Sequence, residues 1–162
     1  IGSQNAITYK EIFTLFRENK IWLGYKAGDM AFKVPEYYTP RETRYWQDET
    51  GQKWRSMGNI CWYTNLDIAK RHEDLILYKS YSEEEYPKYD NYDAINVNTY
   101  TDIPCDYDGV IGVPITFLDK YNPEQFEIVG AMTTTKVDEY NYGYPFINGE
   151  KLYARILIRR RQ

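Results

Sequence analysis

The strongest periodic signal lies at the start of the chain. Thr8 is placed to cap a helix, Glu11 stands three residues later as its capping-box partner, and Ile7 can staple onto Ile12. Ile12, Phe13 and Phe16 then share one face at helical spacing, with Lys10, Arg17 and Glu18 outside it, which predicts a helix from about Tyr9 to Asn19. Ile1-Gly2 reads as the end of a strand. With the polar loop Ser3-Gln4-Asn5 and the helix it makes the unit of a parallel α/β sheet.

Beyond the helix the apolar positions come in short, strand-like runs. Residues 21–25 and 30–34 are two such runs, the second stopped by Pro35. Residues 44–47 and 52–55 flank Asp48-Glu49-Thr50-Gly51, which predicts a hairpin. Ile60, Cys61, Trp62 and Tyr63 follow one another in a buried strand over 59–64, and 75–78 and 94–99 are further strand candidates. The acidic, tyrosine-rich stretch between those two reads as a surface loop. After Pro104 come the run 109–114, a helical turn over 115–121 and a strand over 126–131. Asn148-Gly149 is the preferred pair for a tight hairpin turn. Behind it Leu152, Ala154, Ile156 and Ile158 alternate with Lys151, Tyr153, Arg155 and Arg159, which predicts one half-buried antiparallel strand. The expected fold class is α/β at the front and mainly antiparallel β behind.

Composition narrows the class. The 162 residues fit one domain able to bury roughly 70% of its unfolded surface, and 43% hydrophobic with 27% charged residues is ordinary for a soluble globular protein. No apolar run approaches the roughly 20 residues a bilayer requires, and no signal-peptide pattern is present. A start at Ile1 rather than Met suggests a piece of a longer protein. Cys61 and Cys105 give no disulfide framework, so a reducing, cytoplasmic compartment is expected.

The net charge of −4 argues against a module held to nucleic acid by bulk electrostatics. Residues 82–109 carry eight carboxylates against the single Lys88, whereas Arg41, Arg44, Lys53 and Arg55 form a looser basic stretch and Arg155, Arg159, Arg160 and Arg161 close the chain. Phosphate would meet only these local patches. The 18 tyrosines either fill sheet surfaces or supply flat faces for wet interfaces and base stacking.

Familiar catalytic patterns are missing. His72 is the only histidine, which excludes a two-histidine metal site, and it sits in a charged, surface-type segment. There is no phosphate loop and no dinucleotide glycine fingerprint. Asp106-Tyr107-Asp108-Gly109 lacks the remaining ligands of a calcium loop and reads as a turn. Asn122-Pro123 reads as a turn starter.

Several stretches, in order, resemble the EcoRI-type adenine-specific DNA methyltransferases: Gln4-Asn5-Ala6-Ile7-Thr8-Tyr9-Lys10-Glu11, Arg44-Tyr45-Trp46-Gln47-Asp48-Glu49, Gly58-Asn59-Ile60-Cys61-Trp62-Tyr63-Thr64-Asn65-Leu66-Asp67, Tyr86-Pro87-Lys88-Tyr89-Asp90-Asn91-Tyr92-Asp93, and the run from Gly112 to Phe126. The resemblance spans nearly the whole chain. It implies a Rossmann-like domain that binds S-adenosylmethionine and methylates N6 of adenine in double-stranded DNA. The family's glycine loop and Asn-Pro-Pro-aromatic motif would lie upstream, since Asn122-Pro123-Glu124-Gln125-Phe126 lacks the second proline and the adjacent aromatic. No catalytic residue therefore carries over, and the cofactor-binding residues stay unknown.

On this resemblance the chain is a C-terminal part. Residues 1–80 continue the partial methyltransferase sheet and 81–162 form a β-rich target-recognition region, with the two halves able to pack as one unit. Trp62 or Tyr63 is implied as the aromatic that stacks on an extruded adenine. Strand alternation lets only one of them face a pocket, and packing of both is the alternative. Arg41, Arg44, Lys53 and Arg55 become candidates for DNA-backbone contacts, with solvated surface as the alternative. Two further readings of the whole chain are a non-catalytic DNA-binding module and a β-rich protein-interaction domain.

Overall fold

The computed structural model describes residues 1–39 and 43–162, and for residues 26–28 the backbone alone. It is a mixed α/β structure in which sheet dominates and no sheet closes on itself. No helix among the described residues is long and apolar enough to cross a membrane.

The first sheet is built on one long strand. β1 (Gly2–Ser3) leads through a 3-10 turn (Gln4–Thr8) into α1 (Lys10–Arg17), then β2 (Trp22–Lys33), β3 (Tyr45–Gln47) and β4 (Lys53–Thr64). The strand order is β1-β4-β2, with β3 also paired to β4, and every pairing is antiparallel. β1 and β2 therefore run the same way, as a strand–helix–strand unit requires, but β4 is inserted between them. The unit expected of a parallel α/β sheet is thus interleaved with an antiparallel strand. β2 is one strand where two were expected, because register shifts between Leu23 and Ala27 and between Gly28 and Met30 absorb the irregular middle.

The helix starts later than expected. Tyr9 occupies the cap position without a side-chain hydrogen bond, while the Thr8 hydroxyl donates to the Asn5 carbonyl inside the 3-10 turn. Ser3, whose side chain accepts from the Asn5 N–H, caps that turn instead. The helix face is as expected: Phe13 and Phe16 are buried, with Ile12 packed against the core. The hairpin at Asp48-Glu49-Thr50-Gly51 forms, pairing Trp46 with Trp54 and Gln47 with Lys53.

The second sheet holds β5 (Ile95–Asn96), β6 (Ile111–Pro114), β7 (Phe126–Met132) and, after the hairpin β8 (Phe146–Ile147) and β9 (Glu150–Lys151), β10 (Arg155–Arg160). Its order is β5-β6-β10-β7, with β5 parallel to β6 and β10 antiparallel to both neighbours. Residues 75–78 form no strand; that segment contributes one bridge, Lys79 with Pro104. The turn over Ile115–Lys120 is a 3-10 helix. Asn148 and Gly149 both take positive φ, 50° and 80°, which is the geometry a two-residue hairpin demands and which glycine adopts without strain.

The expected single strand over 151–159 divides in two, and β10 is buried on both faces rather than one. Ile156 and Ile158 point into the main core with Phe16, Phe117 and Phe126. Leu157 points the other way, into a second cluster with Tyr89, Ala94, Val110 and Met132. The expected surface loop accordingly supplies a lid: Tyr86 and Tyr89 are buried, their hydroxyls donating to the Asp102 carbonyl and to Asn96 Oδ1. The main core draws on both sides of residue 80, from Ile7 to Ile158.

Candidate nucleic-acid interface

The distal half of the β2–β4 ribbon, with β3 laid on its edge, forms a three-stranded arm. Over residues 29–57, which include this arm, the sequence holds five lysines and arginines against five carboxylates, in a chain whose net charge is −4. Large apolar groups are left open to solvent here, namely Tyr37, Trp46 and Met57, and Trp62 is exposed farther along β4. They are spread over both faces of the ribbon, Trp46 on the face of Trp54 and Met57 on the face of Arg55.

Register decides which side chains share a face, since directly opposed residues in an antiparallel pair point the same way. Arg55 pairs with Tyr45 and with Phe32, and Lys53 with Gln47. Arg44 lies opposite Ser56, whose N–H donates to its carbonyl, and so shares the face of Trp46 and Trp54. The basic stretch is thus split: Lys53 and Arg55 on one face, Arg44 on the other. Arg41 lies outside the described residues.

Each described candidate already has an internal partner. Arg44 Nη1 donates to Asp29 Oδ1 at 3.1 Å, directly over Gly58, where a Cβ would come within 2.6 Å of both groups. Lys53 Nζ donates to the Glu36 carbonyl at 2.6 Å. Arg55 Nη1 donates to Tyr38 Oη at 2.6 Å, and Tyr38 stacks on Tyr45 with ring centroids 6.1 Å apart. These links orient the cations; Arg44 is exposed, while Lys53, also 3.7 Å from the Glu36 carboxylate, and Arg55 are half-buried.

Trp62 and Tyr63 face opposite sides of the sheet. Tyr63 turns towards α1: its ring meets Phe16 edge-on at 6.0 Å and its hydroxyl donates to the Ser3 carbonyl at 2.6 Å. Burial pushes its phenol pKa well above the ordinary value. Trp62 is 47% exposed, and Gly24 across from it leaves room, since a Cβ there would sit 2.9 Å from the Trp62 Cβ.

The other sequence candidates are structural. His72 is half exposed and pairs with Asp67. Asn122 is fully buried, donating from Nδ2 to Asp74 and accepting the Glu124 N–H at Oδ1, as a turn residue does. Among the described residues no cluster of three or more His, Cys, Asp or Glu is arranged to hold a metal. Sequence reasoning missed the groove between the 133–134 and 151–155 segments, about 960 Å³ and lined by Arg155, because its walls meet only in the folded chain.

A family model described as adenine-specific methyltransferase EcoRI matches residues 1–161. The chain belongs to the EcoRI family of adenine-specific methyltransferases. Proteins similar to it include the type II methyltransferase M.EcoRI of Escherichia coli, 51% identical over 166 residues, and the type II methyltransferase M.MgeORF184P of Mycoplasma genitalium, 36% identical over 182. M.MpnI of Mycoplasma pneumoniae is 32% identical over 179 residues. Each alignment takes in all of this chain but 49%, 56% and 56% of the respective relative, so the chain spans about half the length of the curated relatives it matches. No solved structure matches it.

Proposed function

We propose that this chain is the C-terminal part of a cytoplasmic, S-adenosylmethionine-dependent DNA adenine N6-methyltransferase, and that its role there is to hold double-stranded DNA. Family membership supports the reaction class. The observation that supports the role is the arm: a three-stranded ribbon that carries exposed aromatics and is charge-balanced in a chain whose net charge is −4. The order β1-β4-β2, with same-direction outer strands around an antiparallel one, suits the edge of a larger Rossmann-like sheet. The dinucleotide-type glycine fingerprint is absent from the sequence, so these residues do not form the donor's main cradle and no step through the donor is assigned to them.

Of the two aromatics, Trp62 is better placed to stack on an extruded adenine, because Tyr63 is engaged by Phe16 and Ser3. A flipped base has lost its neighbours, and an aromatic face restores about 1–3 kcal/mol of stacking. The test is methyl transfer by the whole protein to an adenine-containing duplex. Trp62→Ala should lower the single-turnover rate roughly 10- to 100-fold, as that stacking energy implies, while leaving S-adenosylmethionine affinity unchanged. Unchanged turnover would remove Trp62 from this role, and an absence of methyl transfer to any duplex would overturn the enzymatic reading itself.

A further inference from the structure

Arg155 opens β10 and is only 7% exposed, yet no carboxylate lies within ion-pair distance of it among the described residues. Its guanidinium is held by neutral oxygens. Nε donates to Asn96 Oδ1 at 3.1 Å, and Nη1 to the carbonyls of Tyr153 and Ala154 at 3.1 and 3.3 Å. Nη2, which carries two N–H groups, reaches only Asn98 Oδ1, at the long distance of 3.5 Å. A buried guanidinium is normally matched by a carboxylate or an anionic ligand, since taking an unpaired charge out of water is costly.

The same arginine lines the groove of about 960 Å³ between the 133–134 and 151–155 segments. In a chain with 24 carboxylates against 20 lysines and arginines, the groove wall contains no Asp or Glu. It contains instead a second cation, Lys151, whose ammonium rests 3.7 Å over the Tyr144 ring, and the neutral donors Asn5, Asn98, Thr133 and Thr134. Two cations, several neutral hydrogen-bonding side chains and no carboxylate in the wall are the chemistry that receives a phosphate. A guanidinium fixed by its own network offers the N–H groups of Nη2 to a phosphate oxygen, with little rotamer entropy left to lose.

We propose that this groove binds a phosphate group, with Arg155 as its buried anchor and Lys151 as the cation at its mouth. The phosphate belongs either to the DNA backbone or to a free phosphate compound, and only the first source rests on the methyltransferase reading.

The experiment uses the whole protein. Its thermal transition is followed with inorganic phosphate, and with sodium chloride at matched ionic strength. Phosphate should raise the midpoint saturably by about 2–4 °C at ten times its dissociation constant. Lys151→Ala should weaken that dependence about fivefold, and Arg155→Met should remove it. If Arg155→Met fails to fold, Lys151→Ala, at an exposed position, still decides. Equal shifts in phosphate and chloride, or a phosphate response unchanged in Lys151→Ala, would overturn the proposal.

A second arm identifies the source. Loss of about one unit from the slope of log DNA affinity against log salt in Lys151→Ala assigns the site to a backbone phosphate. An unchanged slope alongside a phosphate-specific thermal shift assigns it to a free phosphate compound. The thermal arm requires neither DNA nor methyl transfer, so it fails or stands independently of the proposed function.

Discussion

The hydroxyl of Tyr63 donates to the carbonyl of Ser3 at 2.6 Å, joining residues sixty positions apart. β1 is only two residues long, and this bond extends its hold on β4 beyond the two Cα pairings Gly2–Cys61 and Ser3–Ile60. Gly2 lies under the same ring, where a Cβ would be 3.1 Å from Tyr63 Cε2. Tyr63→Phe keeps the ring and removes the bond, which should cost about 1 kcal/mol. Tyr63→Ala also empties the space against Phe16 and should cost about 3 kcal/mol. Urea denaturation of the whole protein separates the two. Equal losses would show that the ring packing contributes nothing.

Burial sets the alkaline limit of the fold. The phenols of Tyr63, Tyr86, Tyr89, Tyr92, Tyr107 and Tyr121 are all pushed above the ordinary value near 10, in each case chiefly by desolvation. The folded chain therefore holds these protons to higher pH than the unfolded chain does. The resulting stability is complete below about pH 10 and is lost as the pH rises further. These six should ionise at higher pH in the folded chain than in the unfolded one, so the last part of the phenolate absorbance should rise together with the loss of near-ultraviolet circular dichroism. Complete ionisation while that signal persists would contradict the assignment.

Helix α1 was legible because Phe13 and Phe16 fall at helical spacing, and the Asn148-Gly149 turn because few other pairs tolerate two positive φ angles. The cap was misread because the Thr8 hydroxyl is engaged one turn earlier, by the Asn5 carbonyl, which spacing alone does not reveal. The second buried face of β10 was hidden for a different reason. It is covered by Tyr89, a residue in an acidic segment whose polar tip finds Asn96, so its surroundings read as surface while its ring is core. The basic candidates were recognisable as residue types, but their division between two faces follows from the pairing of Tyr45 with Arg55, a register set by the turn.

That turn depends on Asp48. Its Oδ1 accepts from the Thr50 hydroxyl at 2.6 Å and from the N–H groups of Thr50 and Gln52, and its Oδ2 accepts from Trp54 Nε1 at 2.8 Å. The Thr50 hydroxyl, followed by the Trp54 N–H, lowers the Asp48 pKa to about 2. A depressed pKa stabilises the folded turn above the ordinary carboxylate value near 4, and that contribution fades as the pH falls towards 2. Trp54 stacks on Trp46 with centroids 6.4 Å apart and an interplanar angle of 9°. Their coupled circular dichroism should survive at neutral pH, weaken below about pH 4, and be lost at all pH values in Asp48→Ala. A signal insensitive to both changes would detach the turn from the tryptophan pair.

The split of the basic residues makes a prediction that the sequence alone does not. A flat ribbon lying against a duplex presents one face to the phosphates and the other to solvent or protein. Lys53 and Arg55 share one face with Tyr38 and Tyr45, while Arg44 shares the other with Trp46 and Trp54. Each phosphate contact contributes close to one unit to the slope of log affinity against log salt. If the tyrosine face meets DNA, the double variant Lys53→Ala, Arg55→Ala should lose about two units and Arg44→Ala none; if the tryptophan face does, Arg44→Ala should lose about one and the double variant none. Arg44 is also tied to Asp29 over Gly58, so Gly58→Ala, which displaces both, should reproduce the Arg44→Ala slope whichever face is used. Losses from both faces would mean that the arm is wrapped rather than laid flat, and no loss from either would remove it from the interface.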